Sequence, residues 1–214
     1  MKEISMKAIS IKAISITEVR EFDKIKYNTN NHWVDNIRPN DYDEVIQNTY
    51  TNKWIYNFRK NEDITILEIN AKYDIYWMKK SFEIGSQTKR FPNQFIEDLE
   101  DMDTKFKILT SGIFDNERKW FIRSESVSLK EGIHGTGPYT NFKNVIESIV
   151  TCSRGHTAIK PDVENQKIIL YLTPWIQEFE NKETQEFRIF VCNNKITAIS
   201  QQDLYKVNTY LDNR

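Results

Sequence analysis

Residues Glu186–Asp203 read EFRIFVCNNKITAISQQD, and no other stretch narrows the possible folds as far. Asn193-Asn194 suits a two-residue turn with positive φ, and β-branched and aromatic residues flank it on both sides, so the spacing predicts a β-hairpin. A two-residue loop sets Cys192 opposite Lys195, Arg188 opposite Ile199 and Glu186 opposite Gln201. Side chains alternate along a strand, which puts Phe187, Ile189, Val191, Ile196 and Ala198 on one face, ready to enter a core. The other face carries Glu186, Arg188, Thr197, Gln201 and, just past the strand, Asp203. Such a patch is either a solvated outer face or the floor of a polar ligand site.

The remainder of the chain frames that hairpin. Residues 2–16 repeat with a period of five, as KEISM, KAISI, KAISI. An odd period flips the apolar face of a strand at each repeat, and five residues drift off one stripe of a helix. Residues 1–16 therefore read as a low-complexity extension, with at most a short strand near Ile11–Ile16. Residues 17–118 form a region of undefined role, in which a strand is expected at Ile64–Asn70 and a helix from Pro92 to about Ile108. The acidic run Glu97, Asp98, Glu100, Asp101 and Asp103 falls on that helix and reads as a solvated face. Trp33, Trp54 and Trp77 read as packing residues and not as a stacking platform for bases.

Beyond Lys119 the pattern sharpens. A strand at Lys119–Ser124 leads into a stretch containing Gly132, Gly135 and Gly137, whose backbone amides are candidates to approach phosphate. The spacing is neither a Walker A loop nor a dinucleotide fingerprint. Thr140 is placed to cap a helix from Asn141 to about Thr151, with Phe142, Val145, Ile146 and Ile149 on one face. A strand at Ile168–Leu172, the hairpin and a helix from about Asp203 to Leu211 complete an α+β order with a largely antiparallel sheet.

Charge and cysteine content exclude several classes. A net charge of −1 gives no global attraction to nucleic acid or anionic membrane. No apolar run approaches the length of a membrane span, and the first residues lack the apolar stretch of a signal peptide. Two cysteines, Cys152 and Cys192, make no disulfide framework, so reduced thiols in a cytoplasmic setting are expected. His32, His134 and His156 are too scattered for a zinc pattern, and Ser124, Ser126 and Ser128 lack a nucleophile elbow.

Four segments, in order, resemble the cell division cycle protein 123 family, a branch of the ATP-grasp fold. They are Trp120-Phe121-Ile122-Arg123 with Ser128-Leu129-Lys130-Glu131-Gly132, then Ser148–Ser153, then Ile169–Trp175, and finally the hairpin with its E-F-R-x-F-V and I-S-Q-x-D signature. The match spans about residues 119–207. It implies an ATP-grasp-like architecture, two lobes with a nucleotide cleft between them, in which residues 119–214 form a core incomplete at its carboxyl end. It also implies an ATP-binding function, by analogy with chaperones that promote assembly of the trimeric translation initiation factor 2, a subunit of which becomes the expected protein partner. A ligase of the same fold, acting on RNA or joining a carboxylate to an amine, is the alternative; nucleic acid is a partner only in that case. A nucleotide-free interaction module is the third reading.

By the same resemblance, Arg123, Lys130 and Arg188 are phosphate-binding candidates, with Glu186 orienting Arg188 and Gln201 on the same face. Tyr171, Leu172 and Thr173 would present backbone groups to the adenine edge, and Trp175 would wall the slot. Asp203 matches a position that helps hold Mg²⁺, an oxygen-ligand role suited to a carboxylate. The family's I-S-Q-R-D becomes Ile199-Ser200-Gln201-Gln202-Asp203 here, with one cation lost. The family's later strand with an Asp and a D-x-N pair has no counterpart before Arg214, so the chain reads as a fragment or as a reduced relative with a weak metal site.

Overall fold

Strand β3 (Ile168–Pro174) is the centre of a three-stranded antiparallel sheet, flanked by β1 (Thr65–Ile69) and β2 (Trp120–Ser124) in the order β1-β3-β2. The computed structural model describes residues 42–109, 112–115, 117–153, 158–160, 163–177, 187–192 and 195–201. The chain divides into two units, Met1–Ile46 and Gln47–Arg214, and the sheet belongs to the second. Helix α1 (Tyr42–Asn48) lies across that boundary, and α2 (Thr51–Phe58) follows it. Then come α3 (Lys72–Thr88), α4 (Ile96–Leu109) and α5 (Phe142–Thr151), and after β3 the strands β4 (Phe187–Cys192) and β5 (Lys195–Gln201). The result is an α+β fold with antiparallel sheets.

Alternation decides what each strand buries. In β1, Leu67 and Ile69 turn inward while Ile66 and Glu68 turn out; in β2, Trp120, Ile122 and Ser124 are buried and Phe121 and Arg123 are half-buried on the other face. β3 lies between two partners and is buried from Leu170 to Thr173. Leu67, Ile69, Ile122, Leu170 and Leu172 join Trp77, Met78, Leu99, Met102, Phe142, Val145, Ile146 and Ile149 in one apolar cluster. Because β1 pairs with β3, the core draws on both sides of the boundary expected at residues 118 and 119.

Helix α5 forms on the expected apolar stripe, but its cap lies one residue later than Thr140. The Asn141 side chain accepts the Asn144 N–H at 2.9 Å, because an amide oxygen at that position reaches the third residue of the helix. The helix expected from Pro92 opens as a 3₁₀ turn, Asn93–Phe95, and becomes α-helical at Ile96. Gly85 lets α3 approach α5 closely: a Cβ there would stand 2.9 Å from Val150 Cγ1 and 3.0 Å from the Val150 carbonyl oxygen. Phe106 of α4 stacks on Phe142 of α5, with ring centroids 4.1 Å apart.

The acidic run on α4 departs from the solvated face expected of it at one position. Glu97, Glu100 and Asp101 are exposed, whereas Asp103 is buried; its Oδ2 meets Lys107 Nζ at 2.7 Å and its Oδ1 has no hydrogen-bond partner. The i,i+4 spacing brings Lys107 back over the carboxylate and makes this burial tolerable. Among the described residues no group of three or more His, Cys, Asp or Glu is placed to hold a metal ion.

The hairpin exists, but its register and burial differ from expectation. Phe190 pairs with Ala198 and Val191 with Ile196, so Thr197 is an extra residue on β5, its hydroxyl donating to the Phe190 carbonyl at 3.2 Å. This bulge shifts every pair beyond it: Arg188 faces Ser200, not Ile199, and Phe187 rather than Glu186 faces Gln201. The apolar residues do not enter a core. Ile189 is 55% exposed, Val191 63% and Ile196 56%, because β4 and β5 form a two-stranded sheet of their own, outside the three-stranded one. The Asn193-Asn194 turn, the repeat at residues 1–16, Trp33 and the helix expected after Asp203 lie outside the described residues.

Candidate functional site

The outer face of the three-stranded sheet, opposite the apolar cluster, brings together three of the sequence-derived candidates, Arg123 of β2 and Tyr171 and Thr173 of β3. Arg123 and Tyr171 are cross-strand partners, as are Phe121 and Thr173. Alternation puts Arg123 on this face, and α2 supplies what it rests on: its guanidinium carbon stands 5.1 Å from the centroid of the Trp54 ring. A cation over an aromatic face is attracted by the ring quadrupole, by about 0.5–2 kcal/mol depending on desolvation. Trp54 is itself anchored by its indole N–H, which donates to the Thr49 carbonyl at 3.2 Å. It was expected to serve only in packing, and its position under a phosphate-binding candidate is a finding of the fold.

Glu125 is the second residue that sequence reasoning passed over. Its Oε2 accepts the Tyr171 hydroxyl at 3.0 Å and its Oε1 accepts the Asn52 N–H at 3.4 Å. Tyr171 is buried, and that burial together with the Glu125 hydrogen bond pushes its phenol well above the ordinary tyrosine range. The turn carrying Glu125 is tied to α2 by the Thr51 N–H donating to the Glu125 carbonyl at 2.7 Å and the Thr51 hydroxyl donating to the Ser124 carbonyl at 2.7 Å. The face is thus assembled from residues far apart in sequence and is tied together by hydrogen bonds, of which Thr51 to Ser124 is buried.

Other candidates are placed differently. Leu172 is fully buried in the apolar cluster and faces away from Arg123. Tyr171 and Leu172 have strand neighbours on both sides, so their backbone groups serve the sheet; Thr173 is paired only with β2. Trp175 is half-buried, its backbone N–H donates to the Lys119 carbonyl at 2.9 Å, and its indole nitrogen is buried with no hydrogen-bond partner. Lys130 is exposed beyond the buried Leu129, and Arg188 is exposed on β4. Gln201 is placed only through its backbone pairing with Phe187, and Glu186 and Asp203 lie outside the described residues.

The glycine-rich stretch is engaged elsewhere. The amide of Gly132 donates to Leu129, that of Ile133 to the Thr151 hydroxyl, that of His134 to the Ser148 hydroxyl and that of Gly135 to Gly132. His134 Nε2 meets Glu147 Oε2 at 2.5 Å, and the Tyr139 hydroxyl donates to the Gly135 carbonyl at 2.8 Å. A Cβ at Gly132 would stand 2.3 Å from the Ser148 carbonyl oxygen, so this glycine serves the close seating of the loop on α5. Four amides that a phosphate would need are already bonded within the protein.

Among the described residues no helix is long and apolar enough to cross a membrane. No family model, curated protein or solved structure matches the chain.

Proposed function

We infer that the chain is an ATP-binding protein of the ATP-grasp type, acting as an assembly factor for a protein complex in the manner of the translation initiation factor 2 chaperones. The observation that carries the reading is Arg123, half-buried on the outer face of an antiparallel sheet, over the Trp54 ring and beside Tyr171. It stands in the first of four ordered segments that resemble the cell division cycle protein 123 family.

The residues suit a nucleotide in part. Arg123, Lys130 and Arg188 are the cations that would hold phosphate oxygens through charge-assisted hydrogen bonds. Trp54 offers a ring that orients the first of them. Asp203 would share Mg²⁺ with those phosphates, since magnesium is usually held by one or two carboxylates together with phosphate and water. The backbone of Tyr171 and Leu172 suits an adenine edge less well, being paired on both sides, so that recognition would shift toward Thr173 and the end of β3.

A second reading, an interaction module without nucleotide, draws on the hairpin. Phe187, Ile189, Phe190, Val191, Ile196 and Ile199 are each at least 40% exposed, the kind of surface that meets another protein. Thermal denaturation with and without Mg·ATP separates the two. At about ten times the dissociation constant, the nucleotide adds roughly 1.4 kcal/mol of stability by linkage. Arg123→Ala and Arg188→Ala should each remove that gain while the unliganded protein still melts cooperatively. No shift at any nucleotide concentration would leave the interaction module standing.

A further inference from the structure

A cavity of about 270 Å³ opens at the end of the sheet, lined by Tyr50, Glu125, Lys160, Lys167, Ile168 and Ile169 among others. Its walls are braced independently of any ligand. On one side, the turn at Ser124–Val127 is closed by the Ser124 N–H donating to the Val127 carbonyl at 2.8 Å and is tied to Thr51. On the other, Gln166 clamps the loop before β3: it accepts the Lys160 N–H at 2.9 Å and donates to the Ala158 carbonyl at 2.6 Å. Lys79 Nζ donates to the Val163 carbonyl at 2.6 Å and holds the same loop from α3.

The charges within this cavity are unequally committed. Both oxygens of Glu125 accept donors from its own wall, and Lys167 pairs with Glu68 at 3.2 Å. Lys160 makes no ion pair among the described residues; its ammonium stands over the Tyr50 ring, 5.6 Å from the centroid. A cation fixed at its backbone by Gln166 and at its tip by an aromatic face is pre-organised. Beside it, the Tyr50 ring is flat and Ile168 and Ile169 are apolar.

We propose that this cavity binds a small organic anion, its phosphate or carboxylate head on Lys160 and a flat or apolar body against Tyr50, Ile168 and Ile169. The volume falls just below the roughly 300–1,000 Å³ of ordinary small-molecule sites, which suits a fragment-sized ligand and not a nucleoside triphosphate. The site borders the Arg123 face through Glu125, but its binding groups, Lys160 and Tyr50, are ones the nucleotide reading does not use.

The test is isothermal titration of the full chain with phenyl phosphate, benzoate and inorganic phosphate. Phenyl phosphate or benzoate should bind saturably, the tighter of the two naming the head group, and inorganic phosphate more weakly because it lacks a body. Lys160→Met keeps the aliphatic stem and removes the charge; it should weaken binding at least tenfold with an unchanged melting temperature. Arg123→Ala should bind these anions as the parent does. In the parent protein, the amide resonances of Lys160, Ile168 and Ile169 should shift with the same saturation curve, a readout that needs no variant. The proposal is overturned by the absence of saturable binding, by undiminished binding in Lys160→Met, by equal loss in Arg123→Ala, or by shifts that avoid these amides.

Discussion

Gly132→Ala isolates the role of the glycine-rich loop. The added Cβ would stand 2.3 Å from the Ser148 carbonyl oxygen, 2.5 Å from Ser148 Cα and 2.6 Å from Ser148 Cβ. Two of those three atoms are helix backbone, so no rotamer change relieves the clash and the loop must lift from α5. Overpacking of this kind costs about 1–3 kcal/mol. Lifting also strains the amide bonds of Ile133 to Thr151 at 2.9 Å and of His134 to Ser148 at 3.3 Å, each contributing about 1 kcal/mol. A total of about 3 kcal/mol, at about 2–4 °C per kcal/mol for a chain of this size, lowers the melting temperature by on the order of 10 °C. Gly135→Ala is the control: its φ of +64 disfavours a side chain, but nothing lies within 4 Å, so only about 1–2 kcal/mol of backbone strain is expected. Near-UV circular dichroism on both variants reads the ranking. If Gly132→Ala melts with the parent, or only loses affinity for Mg·ATP, the seating of the loop on α5 is not what this glycine is for.

Alkaline pH provides a second check. Burial pushes the Tyr139 phenol from 10.0 up to about 12, and the stability linked to this group is fully present below pH 10 and is lost as pH rises toward 12. At about 1.4 kcal/mol per unit this amounts to some 2–3 kcal/mol, and urea midpoints measured across pH 9–12 should fall less steeply in Tyr139→Phe. Asn141→Ala removes the cap that accepts the Asn144 N–H at 2.9 Å and should cost about 1 kcal/mol in the same assay, while Thr140→Ala should cost less. Tyr171→Phe deletes the donor to Glu125 Oε2 and should lower stability by about 1 kcal/mol, an effect that should be largely absent when Glu125 is already replaced by Ala.

Periodicity carried the legible part of the fold. Strands expected at Ile64–Asn70 and Lys119–Ser124 appear at Thr65–Ile69 and Trp120–Ser124, and the Phe142, Val145, Ile146, Ile149 stripe marks α5. Helix α3 escaped the same reading because its buried face includes Asp74, Ser81 and Gly85 while Tyr73 and Tyr76 stay more than 60% exposed, which blurs the apolar pattern. Hairpin existence followed from local composition; its exposure did not, because burial depends on which sheet a strand joins. The place of Arg123 near the end of β2 was legible from the strand pattern. Trp54 and Glu125 were not, since the contacts that recruit them join α2 to a turn 73 residues later. Gly132 was misread for the same reason: a glycine beside a loop resembles a phosphate cradle until the helix opposite it is known.

The central position of β3 also governs when the fold can form. Ile69 pairs with Ile168, so β1 must wait for about a hundred residues of chain before its partner exists. Closing a loop of that length costs about 4 kcal/mol of chain entropy beyond a constant, and nothing in the three-stranded sheet repays it before β3 arrives. On the ribosome, β1 emerges unpaired, helices α3 and α4 follow it, and then β2 with no neighbour in this sheet. Sheet formation is therefore a late, single event, triggered when residues 168–174 clear the exit tunnel, and until then the apolar side chains of β1 and β2 are exposed to chaperones and to other nascent chains.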